Sequence, residues 1–383
     1  MIDPGRFVDR CAELGIELFT GVPDSLLKQL NSQILRTVPG DRHVIAANEG
    51  NCVGIAIGHH LRTGGTALVY LQNSGFGNTV NPLLSLADEE VYGVPMVLLV
   101  GWRGRAGVKD EPQHVKQGRI MAQLLDALEL PWAVLPADQD EAEVQLEGAV
   151  ATANERSCPY VLMVEKDTFA DAPAGPAGPT QGPKGDETVS RESALGALVE
   201  TLGDETVNVA TTGMLSRELF ELRERRGQDG ARDFLTVGGM GHASSIALGV
   251  ATSEPDREVW CLDGDGALLM HLGALPVIAD HGPANLFHVV FNNGVHDSVG
   301  GQPTSISVMD VAEAARACGY RWAGSTEDPA TIAHHVNHMR EVGGPCLLEL
   351  RVLPGNRADI GRPTRTPAQS KDAFMRALGG GTE

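Results

Sequence analysis

The feature that most constrains the fold is an internal repeat. Displaced by 191 residues, Gly50–Gly75 lies over Gly241–Gly266 without a gap. Gly50, Ile55, Ala56, Gly58, Leu71 and Gly75 then coincide with Gly241, Ile246, Ala247, Gly249, Leu262 and Gly266. The register continues, because the apolar run Pro95–Val100 falls on Leu286–Phe291. The order apolar run, helix-like stretch, apolar run is the same in both halves. The halves therefore read as two copies of one domain, and 383 residues suit two domains of middling size.

The short runs Val44–Ala47, Thr66–Leu71, Pro95–Val100, Val207–Ala210, Glu258–Leu262 and Leu286–Phe291 are apolar without alternation. That pattern predicts strands buried on both faces of a parallel sheet, with helices between them. Between the halves lies Ala172–Gly185, in which eight of fourteen residues are Gly or Pro, so neither helix nor inner strand can form there. The expected organisation is a first domain over 1–171, a linker over 172–188 and a second domain over 189–383.

Charge and cysteine usage narrow the function. Fifty acidic residues against thirty Lys plus Arg give a net charge of -20, which disfavours a general binder of nucleic acid or acidic membranes. No uncharged apolar run reaches the roughly 18 residues a membrane helix needs, and the N-terminus has no signal-peptide character. Cys11, Cys52, Cys158, Cys261, Cys318 and Cys346 lie far apart, which excludes the usual paired-cysteine zinc and redox motifs and suits a reducing cytoplasm. No Gly-Lys dipeptide occurs, so there is no P-loop.

Two turns carry the chemistry. Cys261-Leu-Asp-Gly-Asp-Gly266 ends one predicted strand, and Asn292-Asn293-Gly294 ends the next. In an open parallel sheet both ends face the carboxyl edge, where ligands bind. Asp265 and one asparagine offer oxygen to a hard cation, while Gly264, Gly266 and Ala267 open a helix whose N–H groups can meet a phosphate.

The pair G-D-G, then about 25 residues, then N-N resembles the signature of the thiamine diphosphate enzymes. The resemblance implies an α/β chain of two homologous open parallel-sheet domains, one for the cofactor's pyrimidine and one for its diphosphate. It implies that Asp265, Asn293 and the Val295 carbonyl hold Mg²⁺ on the diphosphate. It assigns Glu49, in Ala46-Ala-Asn-Glu-Gly50, to the pyrimidine N1′, where a shared proton promotes loss of the thiazolium C2 proton and formation of the ylid. Gly238-Gly-Met240-Gly-His242 matches the turn whose bulky residue bends the cofactor, with the Gly238 carbonyl on the 4′-amino group. Thr212 and Gly213, after the run Val207–Ala210, are a further candidate for the cofactor, beside the reading of a plain turn.

Most decarboxylases of that family insert a middle domain, for which this chain has no room. Its arrangement and the strings Gly21–Leu26, Asn73–Asn78, Lys109–His114 and Asn292–Thr304 most resemble the phosphonopyruvate decarboxylases, with the sulfopyruvate decarboxylases as relatives. The family's pyruvate decarboxylases carry a His-His pair and a Glu where this chain has Gln113-His114 and Val299. The implied reaction converts 3-phosphonopyruvate to phosphonoacetaldehyde and CO₂, in phosphonate biosynthesis of an antibiotic or phosphonolipid type. Asp24 and His114 are candidates for proton handling. Arg103, Arg105 and Lys109 are candidates for the phosphonate, with Ser298 beside the substrate. A phosphonate is favoured over a sulfonate because the sulfopyruvate enzymes are often split into two subunits. The resemblance further implies a homodimer, or an assembly of dimers, with sites shared between chains. The rival readings are sulfopyruvate decarboxylase, a 2-keto acid synthase of acetolactate type, and a nucleotide-binding module without catalysis.

Overall fold

A computed structural model describes residues 1–171 and 189–379, so the predicted linker over 172–188 lies outside the described residues. The described residues divide into two compact units, one of residues 1–171 with Val299–Gln302 and one of residues 189–298 with 303–379. The first holds a six-stranded sheet of β1 (Ile16–Gly21), β2 (His43–Ile45), β3 (Thr66–Gln72), β4 (Met96–Gly101), β5 (Trp132–Val134) and β6 (Pro159–Val164). The second holds β7 (Val207–Ala210), β8 (Asp233–Leu235), β9 (Val259–Gly264), β10 (Leu286–Asn292), β11 (Trp322–Thr326) and β12 (Cys346–Arg351).

The first sheet runs β2-β1-β3-β4-β6-β5 and the second β8-β7-β9-β10-β12-β11. Every neighbouring pair is parallel. Strand for strand the two orders coincide, and the 191-residue displacement carries Met96–Gly101 onto Leu286–Asn292 within a residue or so. The repeat seen in the sequence is thus a repeat of topology.

The apolar runs of the inner strands behave as their composition requires, whereas the run Val44–Ala47, expected to be buried on both faces, instead supplies the edge strand β2, in which Val44 is exposed. Along β4 every residue from Met96 to Gly101 is buried, as is every residue of β3 except Gln72. One face of the first sheet, with Leu68, Tyr70, Val97 and Leu99, packs on Phe7, Leu30 and Leu146 of flanking helices. In the second unit, Trp260, Leu262 and Val289 face one cluster, while Cys261 and Val290 face the other. Burying a Val, Leu or Phe side chain on both faces contributes about 1.5–3 kcal/mol each, which is why such strands need no polar face. Among the described residues, no helix is long and apolar enough to cross a membrane.

Candidate active site

Glu49 opens the helix Glu49–Thr63, which starts four residues after β2. Asn48 caps that helix by accepting the Gly50 N–H at 2.8 Å, and Gly64, in the left-handed region at φ 71°, ends it. The Glu49 carboxyl is 5% exposed. Its Oε2 accepts from Asn78 Nδ2 at 2.7 Å, and its other oxygen is pressed onto Gly75, where a Cβ would come within 1.9 Å. Only glycine fits that close approach, so the turn after β3 is shaped around the acid. Burial pushes the Glu49 pKa up, against the lowering effect of the Asn78 amide.

A carboxyl with a raised folded-state pKa contributes stability that is complete below its unfolded pKa and is lost as pH rises through the folded value. Glu49→Gln keeps the acceptor for Asn78 and removes the ionisation. In cofactor-free protein the variant should therefore melt above the wild type, by a margin that widens as pH rises above about 4.3, the unperturbed value. Thermal unfolding across that range is the measurement, and a margin that shrinks with pH contradicts the assignment.

Asp24 follows β1 and is fully buried. The sequence allows it to cap a helix over Ser25–Asn31, but the helix runs Lys28–Thr37 with no side-chain cap. Asp24 instead accepts the Leu26 N–H at 3.0 Å and the Gln72 amide at 2.5 Å. Its Oδ2 lies against Gly101, where a Cβ would approach to 2.1 Å. Gln72 and Gly101 are register partners at the ends of β3 and β4, so the sheet itself positions Asp24. Burial raises its pKa, partly offset by Gln72, the Leu26 amide and Arg103.

The three cations predicted for the phosphonate occupy different settings. Arg103 is partly buried and gripped by Asp110 through Nε at 2.8 Å and a second guanidinium nitrogen. A further nitrogen donates to Ser25 at 2.9 Å. Asn73 fixes the Arg103 backbone in both directions, accepting its N–H at 3.1 Å and donating to its carbonyl at 2.8 Å. Arg105 is paired with Glu165 and lies over the Trp102 ring, and Lys109 is exposed. Arg103 thus bonds the residue next to Asp24 and acts on Asp24 through its charge, whereas Arg105 turns to Glu165 and Lys109 to solvent. His114 lies inside the helix Pro112–Ala127, is 8% exposed, and its Nδ1 has no hydrogen-bond partner among the described residues. Burial lowers its pKa, as does Arg103.

In the second unit, Gly264 is the register partner of Phe291. The turns that follow β9 and β10 therefore leave adjacent strands at one level, as the spacing predicted. Asp265 begins the helix Asp265–Met270, is 4% exposed and accepts from Thr304 Oγ1 at 2.6 Å. Burial pushes its carboxyl up to about 6. Asn293 donates its Nδ2 to Asp297 at 2.6 Å, which turns Oδ1 the other way, where it accepts the Val295 N–H at 3.1 Å. Asp297 is itself held by Arg191 at 3.0 Å, and Arg191 makes two bonds of 2.9 Å to the buried Glu218. This chain of charges fixes which end of the Asn293 amide presents oxygen.

A Cβ on Gly266 would lie 3.2 Å from Met240 Cε, so the Met240 turn reaches the Asp265 turn. His242 Nδ1 stays on its own turn, 3.1 Å from the Gly239 carbonyl. Thr212 and Gly213 follow β7, next to β9, and Gly213 (φ 108°) precedes the helix Met214–Arg225. Ser298 is exposed in a short turn after Asp297. The donors Asp265, Asn293 and Val295 are all oxygens, which fits a hard cation, and the Gly264–Gly266 turn at a helix start fits a phosphate. The buried Glu49 carboxyl in its glycine cradle fits a ring nitrogen that shares a proton. Asn78, Gln72, Asp110, Asp297 and Thr304 were not singled out in the sequence, although most stand within its quoted strings. Arg191 and Glu218 carry no local signal, because their value lies in a pairing 27 residues apart.

The family described as thiamine pyrophosphate enzyme, N-terminal TPP binding domain, matches residues 6–129. The family described as thiamine pyrophosphate enzyme, C-terminal TPP binding domain, matches residues 211–350. A phosphonopyruvate decarboxylase of Streptomyces viridochromogenes is 36% identical over 98% of this chain and 94% of that protein. One of Streptomyces hygroscopicus is 35% identical over 98% and 93%. A sulfopyruvate decarboxylase of Methanosarcina acetivorans is 26% identical over 97% of each chain. That last relative carries both halves in one chain, so the fused arrangement does not distinguish phosphonate from sulfonate, contrary to the expectation above.

Proposed function

The chain belongs to the thiamine pyrophosphate enzyme family, in which it groups with phosphonopyruvate decarboxylases, and from that premise we propose that it decarboxylates 3-phosphonopyruvate to phosphonoacetaldehyde. The observation that carries the substrate is the identity of 36% across nearly the whole chain, against 26% for the sulfopyruvate enzyme. Residues 1–171 are the pyrimidine-binding domain and 189–383 the diphosphate-binding domain. A place in phosphonate biosynthesis follows from the product. The six free cysteines fit a reducing compartment such as the cytoplasm.

Thiamine diphosphate, when bound, supplies the thiazolium that accepts the electron pair left by departing CO₂. Asp265, Asn293 Oδ1 and the Val295 carbonyl would hold Mg²⁺ against its diphosphate, with the Gly264–Ala267 backbone on the phosphate oxygens. Thr212, Gly213, Gly238, Met240 and His242 line the rest of the cofactor's seat. Glu49 holds a proton at the oxygen facing Gly75, for N1′ of the pyrimidine. Asp24 and His114 are the proton carriers for the product carbon, since both are buried and both feel Arg103.

Arg103 is the cation for the phosphonate, fixed by Asp110 and Asn73 before any substrate arrives. Arg105, Lys109 and Ser298 are lesser contributors. Arg103→Ala should raise KM for phosphonopyruvate by ~30-fold or more, the size of a charge-assisted hydrogen bond of about 2 kcal/mol, and change KM for pyruvate far less. Arg105→Ala and Lys109→Ala should have smaller effects. Steady-state kinetics on both substrates is the test, and an equal loss on both removes Arg103 from the phosphonate pocket.

One cofactor must meet both Glu49 and Asp265. We assign these to different chains of a dimer, or of an assembly of dimers. Mixing Glu49→Gln and Asp265→Ala proteins, each inactive, with subunit exchange should restore part of the activity. A mixture that exchanges subunits and stays inactive rejects shared sites.

A further inference from the structure

We infer that Cys261, Asp263 and His288 form a buried site for one transition-metal ion of the zinc class, which clamps β9 to β10 beneath the two cofactor turns. Cys261 and His288 are register partners on adjacent strands. Asp263 lies two residues further along β9 and so points to the same face as Cys261. Each of the three is 1% exposed. One sulfur, one carboxylate oxygen and one ring nitrogen all lie within 4.8 Å of one another.

The free atoms turn toward that common centre. Asp263 Oδ2 and His288 Nε2 are 3.4 Å apart, yet among the described residues neither has a hydrogen-bond partner. Their opposite sides are occupied. Asp263 Oδ1 accepts the Gly264 N–H at 3.0 Å, and His288 Nδ1 is 3.5 Å from the Tyr320 hydroxyl. At 3.4 Å the two are too far apart for a good hydrogen bond to each other, and in an apolar shell that includes Val209, Val290 and Leu347 such a loose pair is costly unless a partner shared by both lies between them. A divalent ion is such a partner, since thiolate plus carboxylate cancels its charge. Binding releases the Cys261 thiol proton to solvent. The fourth position is left to water or to the second carboxylate oxygen.

Sulfur, nitrogen and oxygen together select zinc or a similar borderline ion, whereas the all-oxygen set at Asp265 selects magnesium. The two sites therefore take different metals. The inference does not depend on the decarboxylation reading, because its readout is spectroscopic.

The test uses full-length protein produced in minimal medium with Co²⁺ in place of Zn²⁺, then purified with Mg²⁺ and thiamine diphosphate. Wild type should retain about one cobalt per chain, as a structural site does, and show a thiolate-to-cobalt charge-transfer band. Cys261→Ser should abolish the band, and His288→Gln should lower retained cobalt ~10-fold or more. Asp265→Ala should leave the band intact. Wild type with no retained metal, cobalt without a thiolate band, or a band that survives Cys261→Ser each overturns the site. Should the variants fail to fold, the wild-type spectrum decides alone.

Discussion

Replacing Asp265 by alanine should abolish Mg²⁺-dependent binding of thiamine diphosphate while leaving the fold intact. The carboxyl is buried at the first residue of a helix and holds Thr304. It is the one anionic donor of the proposed metal set, beside the neutral Asn293 and Val295 oxygens. Without it two neutral oxygens must hold a doubly charged ion, and magnesium parts with its water reluctantly. The protein should tolerate the change, because removing a buried carboxyl also removes the cost of desolvating it. Calorimetry with and without Mg²⁺ is the measurement. Binding that persists and still depends on Mg²⁺ would remove Asp265 from the metal set.

Glu49→Gln should slow exchange of the cofactor's C2 proton for deuterium by ~10²-fold or more, the scale of lost acid–base catalysis. Cofactor affinity should change little, since a glutamine still fits the cradle of Gly75 and Asn78. The same substitution is expected to stabilise the cofactor-free protein at neutral pH. That opposition marks a group kept for chemistry at the expense of stability. An unchanged exchange rate would reduce Glu49 to an acid at a helix start, where the dipole alone favours it.

The sequence revealed the architecture and the principal turns more readily than their supports. Apolar runs such as Pro95–Val100 had to be inner strands, because no polar face was available, and the repeat tied one sheet order to the other. Asp265, Asn293 and Glu49 were legible because each stands in a turn whose neighbours are glycine or asparagine for a visible reason. What holds them was not legible. Asp297 orients Asn293, Arg191 holds Asp297, and Glu218 holds Arg191. Those links cross the fold, and ordinary charged residues carry them. The basic segment misled in part for the same reason. Three cations close in sequence read as one pocket, yet Arg103 turns to Asp110 and Ser25 while Arg105 turns to Glu165 and Trp102. The chain turns at Gly104 (φ 71°) and Gly107 (φ 85°), which separates neighbours that composition groups together.

Burial also changed the character of the acids. Asp24 and Glu49 look alike in sequence, each an acid after a strand. In the structure both are pressed against glycines, Gly101 and Gly75, and both have raised pKa values because of desolvation. Asp24 takes two donors, including the Gln72 amide, and feels the Arg103 charge, while among the described side chains Glu49 takes Asn78 alone and keeps one oxygen toward Gly75. The second arrangement suits a proton shared with a ring nitrogen, and the first suits a carboxyl that works alongside a cation.

The central claim is the reaction itself, and product analysis on matched substrates tests it most directly. Purified protein with Mg²⁺ and thiamine diphosphate is given 3-phosphonopyruvate, 3-sulfopyruvate and pyruvate in turn, and CO₂ and aldehyde are quantified. The account predicts equal amounts of CO₂ and phosphonoacetaldehyde from phosphonopyruvate, with the highest kcat/KM of the three. A higher kcat/KM on sulfopyruvate, or a condensed keto acid in place of free aldehyde, would contradict it.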